Sequence, residues 1–171
     1  FMNQRQGKEA FDQGFAQGVG AWNQMQGDAL NSALDAYSQG IKNSISNGSG
    51  GFTNQSIDVQ QGFVAEAHHV GSFNVEASAK GLNNHRATRN SGVHNDPVAD
   101  AVVTTPDGAT TTHQMKFYKD GQKTAAALSP ERYDTVDSKI VPSDQVLDVK
   151  ASACKQAARN QDNRPGVSKS N

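Results

Sequence analysis

The stretch from Asp100 to Tyr118 (DAVVTTPDGATTTHQMKFY) constrains the fold of this chain more than any other. Two runs of β-branched and apolar residues flank Pro106-Asp107-Gly108, so it reads as strand, tight turn, strand. Side chains alternate between the faces of a strand, which puts Gln114 and Lys116 on one face. Thr111, His113, Met115 and Phe117 take the other, and Met115 and Phe117 assign that second face to a core. Asp100 opens the apolar run Ala101-Val102-Val103, where an acid is costly unless it binds something. Asp107 has an ordinary conformational reason to sit in its turn, and so does Asp96 before Pro97, for which a ligand role also stays open. A carboxylate, an amide and a lysine gathered on one face of a hairpin form a pattern suited to a metal site and to hydrolysis.

Upstream, residues 8–46 carry Phe11, Phe15, Val19, Trp22, Leu30, Leu34, Tyr37, Ile41 and Ile45 at spacings of three and four, the period of an amphipathic helix. Glycines interrupt the run, and each costs about 1 kcal/mol against alanine in a helix interior, so a break is expected near Gly27. Two readings stay open for this arm: a self-association or partner-binding hairpin with close approach at Gly14 and Gly18, or a helix packed on its own domain. Asn47-Gly-Ser-Gly-Gly51 reads as a flexible joint. This divides the chain into a helical arm over 1–50, a main domain over 51–160 and a flexible tail over 161–171.

Gln60 to Lys80 reads as a second helix, with Phe63, Ala67, Val70, Phe73 and Ala77 on one side and Gly81 as a stop signal. Glu66 projects from that apolar side, three residues after Phe63 and four before Val70. Residues 82–97 read as a loop or an irregular edge strand. After the hairpin come a turn at 119–122, a short helix from Thr124 to Leu128, a polar connection carrying Tyr133, and a short buried strand at Ile140-Val141. Ser143 is placed as the N-cap of a last helix running through Arg159. The fold class expected is α/β, a small mixed sheet flanked by helices.

Composition limits the options. Among 171 residues, 35% are hydrophobic and the formal net charge is −1, so one modest core is expected and no global basic signature for nucleic acid is present. The charge is uneven: residues 1–79 hold 3 Lys/Arg against 7 Asp/Glu, and residues 80–171 hold 13 against 10. The half bearing the hairpin is thus mildly basic and tolerates a polyanionic ligand. One cysteine, Cys154, rules out an internal disulfide framework and a cysteine-based zinc cluster; its alanine-rich setting predicts a buried small residue. No run approaches the roughly 18 apolar residues of a membrane span. The chain shows no signal-peptide pattern and begins at Phe1, as a fragment of something longer would.

The order Glu66 on a helix, Asp100 at a first strand, then Gln114-x-Lys116 on the next strand resembles the restriction-endonuclease-like superfamily, the PD-(D/E)xK nucleases. More narrowly, it resembles the Mrr-like variant in which glutamine replaces the second acid and aromatics follow the lysine, as Phe117 and Tyr118 do here. The resemblance covers residues 60–150; it departs from the pattern in that no proline immediately precedes Asp100. It implies a restriction-endonuclease-like core and a magnesium- or manganese-dependent endonuclease that hydrolyses phosphodiester bonds, in DNA by preference. Asp100, Gln114, the Met115 carbonyl and Glu66 would hold the ion, and Lys116 would serve the attacking water. Toxins, mobile elements and defence systems use modules of this kind, with a cytoplasmic site of action.

His69, Arg86, Arg89, His113, Lys119 and Gln145 are candidates to contact nucleic acid. His94-Asn95-Asp96 hints at a histidine–metal nuclease, but no correctly spaced second histidine follows. The alternative function is non-catalytic: a structural or oligomerisation protein, acting through its N-terminal helices, whose core binds a partner or nucleic acid.

Overall fold

The computed structural model describes residues 4–47, 49, 51–89 and 98–163. Residues 90–97, including His94 and Asp96, and residues 164–171 lie outside them, so the His94-Asn95-Asp96 reading and most of the expected tail do too. The described chain is α/β: four α-helices and a small, open, mixed four-stranded sheet.

Helix α1 (Gln4–Ile45) and helix α2 (Ile57–Ala79) come first. The expected break at Gly27 does not occur; α1 runs unbroken for 42 residues. Its neighbours there, Met25, Gln26, Ala29 and Leu30, are good helix formers, and a single glycine weakens a helix without ending it. The second half of α1 packs along α2. Gly71 admits the Tyr37 ring so closely that a Cβ there would lie 2.2 Å from Tyr37 Cδ2. Tyr37 Oη also meets His68 Nδ1 at 2.5 Å.

The two ends of the Gly/Ser joint between the helices meet. Asn47 donates from its backbone to the Gly51 carbonyl, and its side-chain oxygen accepts from the Ser49 and Gly51 backbone N–H groups. Helix α2 ends as its sequence predicts. Gly81 adopts φ +72°, Leu82 N–H returns to the Ala77 carbonyl and Gly81 N–H to the Ser78 carbonyl, closing both orphan carbonyls in a Schellman motif.

The sheet follows in the order β1 (Arg86–Arg89), β2 (Ala101–Thr104), β3 (Thr110–Met115), β4 (Ser138–Ile140). Strands β1–β2 and β2–β3 are antiparallel and β3–β4 parallel. The hairpin turns where expected, with Gly108 at φ +83° and Thr105 N–H bonded to the Ala109 carbonyl. Strand β1 is one edge, and α2 covers it: the Asn74 side chain donates to the Ala87 carbonyl and accepts the Ala87 N–H, both at 2.8 Å. An amide thus stands in for a missing neighbouring strand.

Helix α3 (Gly121–Leu128) begins earlier than expected because Asp120 caps it, accepting from Lys123 N–H at 2.8 Å. Helix α4 (Val146–Asn163) follows a 3-10 turn over Ser143–Gln145, so Ser143 opens that turn instead of capping the helix. Gly121 brings α3 against α4, its missing Cβ falling 2.5 Å from Asp148 Cβ. Buried apolar residues are mostly alanines, with Met115, Leu128 and Tyr133. Cys154, expected inside, is exposed on α4.

Candidate metal and phosphodiester site

The end of the hairpin opposite its turn gathers the residues singled out by sequence. Asp100 stands one residue before β2, its N–H bonded to the His113 carbonyl at 2.9 Å. One carboxylate oxygen, Oδ2, receives the Met115 backbone N–H at 2.8 Å and a bond from the Gln114 side-chain NH2. Gln114 is only 1% exposed, more buried than Met115 on the other face. The strand ends at Met115, and Lys116 follows with its N–H bonded to the Ile140 carbonyl of β4 at 3.1 Å. The Lys116 ammonium lies 3.8 Å from Asp100 Oδ2 and 5.5 Å from the centre of the Tyr133 ring. That ring is buried and carries the Arg132 guanidinium at 4.8 Å.

Glu66 approaches from α2. Its Oε2 meets Arg89 Nη2 at 2.7 Å, and the same guanidinium sits 5.8 Å above Phe63. Burial pushes the Glu66 carboxyl above its ordinary range; the Arg89 bond opposes this, the Asp100 charge adds to it, and the Arg89 and Lys116 charges oppose it. Glu66 therefore lies within electrostatic reach of both Asp100 and Lys116.

The fit of a cation turns on the Gln114 amide. Its NH2 lies between Asp100 Oδ2 and the Met115 carbonyl, 3.3 Å away, while its Oε1 is buried with no hydrogen-bond partner. A buried amide oxygen without a partner costs about 1–3 kcal/mol. A half-turn about the last torsion exchanges the two ends and sets an amide oxygen beside the carboxylate and the carbonyl. Those three oxygens repel unless a cation stands among them. Hard oxygen donors of this kind suit magnesium or manganese. Among the described residues, no group of three or more His, Cys, Asp or Glu side chains could hold a metal ion. The candidate rests instead on two carboxylates, an amide and a main-chain carbonyl.

The remaining candidates separate. Arg89 joins the cluster through Glu66. His113 and His69 meet each other, ring centres 6.4 Å apart, and strand alternation turns His113 to the face opposite Gln114. Burial, His113 and His68 together lower the pKa of His69. Arg86 is exposed at the far end of β1, opposite Thr104, and Lys119 is exposed just before α3. Gln145 is not available to a ligand: its amide donates to the Tyr118 carbonyl at 2.8 Å and accepts from Thr124 Oγ1 at 2.7 Å. It ties α3 and the segment after β3 to the start of α4.

Sequence reasoning missed Arg132 and gave Tyr133 no role, although a lone aromatic beside an arginine in a polar connection was a signal. Comparison with protein-family models, curated proteins and solved structures finds no match to this chain.

Proposed function

We propose that this chain is a metal-dependent nuclease with a restriction-endonuclease-like core, hydrolysing phosphodiester bonds, in DNA by preference. The observation that carries this reading is the buried Gln114 amide, set between Asp100 and the Met115 carbonyl with Lys116 alongside. The order helix, hairpin, parallel strand, helix supports it at the level of topology.

Asp100, Gln114 Oε1 and the Met115 carbonyl would hold magnesium or manganese, with Glu66 joining directly or through water. Such an ion, when bound, polarises the scissile phosphate and lowers the pKa of a coordinated water. Asp100 and Gln114 would hold that ion at the end of β3. Lys116, braced on the Tyr133 ring, orients the attacking water and offsets negative charge as it develops. Arg89, once Glu66 turns away, is free to meet a phosphate oxygen, and Arg132 and Lys119 offer further backbone contacts. Toxin, mobile-element and defence roles fit a module of this type.

The non-catalytic alternative is favoured by the formal net charge of −1, which gives no overall basic surface, and by the long amphipathic helix α1. A plasmid-nicking assay separates the two readings. Cleavage with magnesium is expected, abolished by EDTA and reduced at least about a hundredfold by Lys116→Ala or Asp100→Ala. Cleavage that both variants retain at the wild-type rate refutes this site.

A further inference from the structure

Helix α1 is much longer than the helix it packs on. Gln26 accepts a bond from Asn83 Nδ2 at 3.0 Å and lies beside Gly81, where α2 has already ended. Residues 4–25 therefore reach about 33 Å beyond the end of α2. From Asp12 to Met25 every residue is exposed.

This projecting part is not polar all round. Phe15, Val19, Trp22 and Met25 recur at spacings of four and three along one side and are 66%, 42%, 55% and 58% exposed. The stripe is the continuation of a used surface. On the helical wheel, Trp22 and Phe15 fall in line with Tyr37 and Gly40, which meet α2, and with Gln26, which meets Gly81 and Asn83 just past its end. The packing face of α1 thus runs on past the point where α2 stops. Gly14 and Gly18 lie beside the large side chains, with open space where a Cβ would be. They leave hollows beside the projecting side chains.

We propose that a second copy of the chain covers this stripe, the two α1 extensions pairing as an isologous helix–helix interface. A copy of the same stripe supplies both what this one presents, large apolar rings, and what it lacks, something to fill the glycine hollows. The area comes close to what a dimer needs. At these exposures, with about 150–250 Å² for a fully exposed aromatic, the four side chains present roughly 450 Å² per copy. Two copies approach the roughly 1,000 Å² at which a specific interface becomes plausible, before the helix backbones brought together at Gly14 and Gly18 are added. A stripe of that size left in water is also an aggregation hazard, which self-pairing removes.

The interface lies on the extension and does not depend on the nuclease reading. Sedimentation of the full chain across a dilution series tests it, followed in parallel by fluorescence, because Trp22 is the only tryptophan in the chain. The expected result is a species of twice the monomer mass that dissociates on dilution, with Trp22 emission moving to the red as it does so. Gly18→Leu, which raises helix propensity while filling the hollow, and Trp22→Ser, a change at an exposed site, should each give a monomer with unchanged helix content by circular dichroism. A monomer at every concentration, a heterogeneous larger assembly, or a dimer that survives both substitutions overturns the proposal.

Discussion

Glu66 holds the sharpest internal conflict at the site. Burial drives its carboxyl toward the neutral form, while Arg89, 2.7 Å away, asks for the charge. The balance leaves its pKa above the ordinary 4.5, so folding favours the protonated acid. The stability this contributes is fully present below the ordinary pKa and is lost as pH rises through the raised one. Thermal melts of wild type and Glu66→Gln from about pH 4 to about pH 8 should show wild type losing ground to the variant as pH rises. A difference between them that stays constant with pH contradicts this. The Asp100–Gln114–Lys116 grouping was legible from the hairpin pattern, alternation pairing Gln114 with Lys116 and the apolar run marking Asp100. The Arg89–Glu66 bond was not, because nothing local marks two residues 23 apart as partners. Gln145 misled for a related reason: a polar residue at a helix start looks solvent-facing, and only the packed structure shows its amide consumed by Thr124 and Tyr118.

At the scale of elements, glycine has two opposite meanings here. Gly71 is a contact residue, and Gly71→Ala forces its Cβ into the Tyr37 ring and disturbs the seam between α1 and α2. A loss of about 1–3 kcal/mol is expected by urea denaturation, from overpacking. Gly27 is a weak point and nothing more, with no atom within 4 Å of the position its Cβ would take. Gly27→Ala should therefore stabilise α1, raising chemical stability by about 0.5–1 kcal/mol without altering its partners. An unchanged or lower stability would mean that the helix bends there. Helix period, the Gly81 stop and the Pro106-Asp107-Gly108 turn could all be read from sequence, since each rests on local chemistry. The parallel pairing of β4 with β3 and the Asn74 cover over β1 could not, since both join segments distant along the chain.

The whole molecule sets a small, alanine-rich α/β body at one end of a long helix. Its sheet is covered on the β1 edge by α2, and the candidate site lies at the strand ends, with Glu66 on α2 to one side and Tyr133 beside Lys116. No helix among the described residues is long and apolar enough to cross a membrane. The acidic first half and mildly basic second half also divide along this line: the extension carries little positive charge, and the cations lie in the part that bears the site. Low hydrophobic content announced the modest core, and the mixed α/β class followed from the order of periodic segments. Packing of half the arm onto α2 was one of the two readings its period left open, whereas the Asn47 contacts with Gly51 escaped notice, because a Gly/Ser run looks like a linker whether or not a side chain closes it.

The central claim is that the oxygens of Asp100, Gln114 and Met115 converge on a cation. Manganese titration followed by electron paramagnetic resonance measures this directly, without any assumption about substrate. Wild type should take up the ion and lose free-manganese signal, while Asp100→Asn, which keeps the shape and removes the charge, should weaken binding at least about tenfold. Manganese bound equally by both proteins, or by neither, would contradict the account.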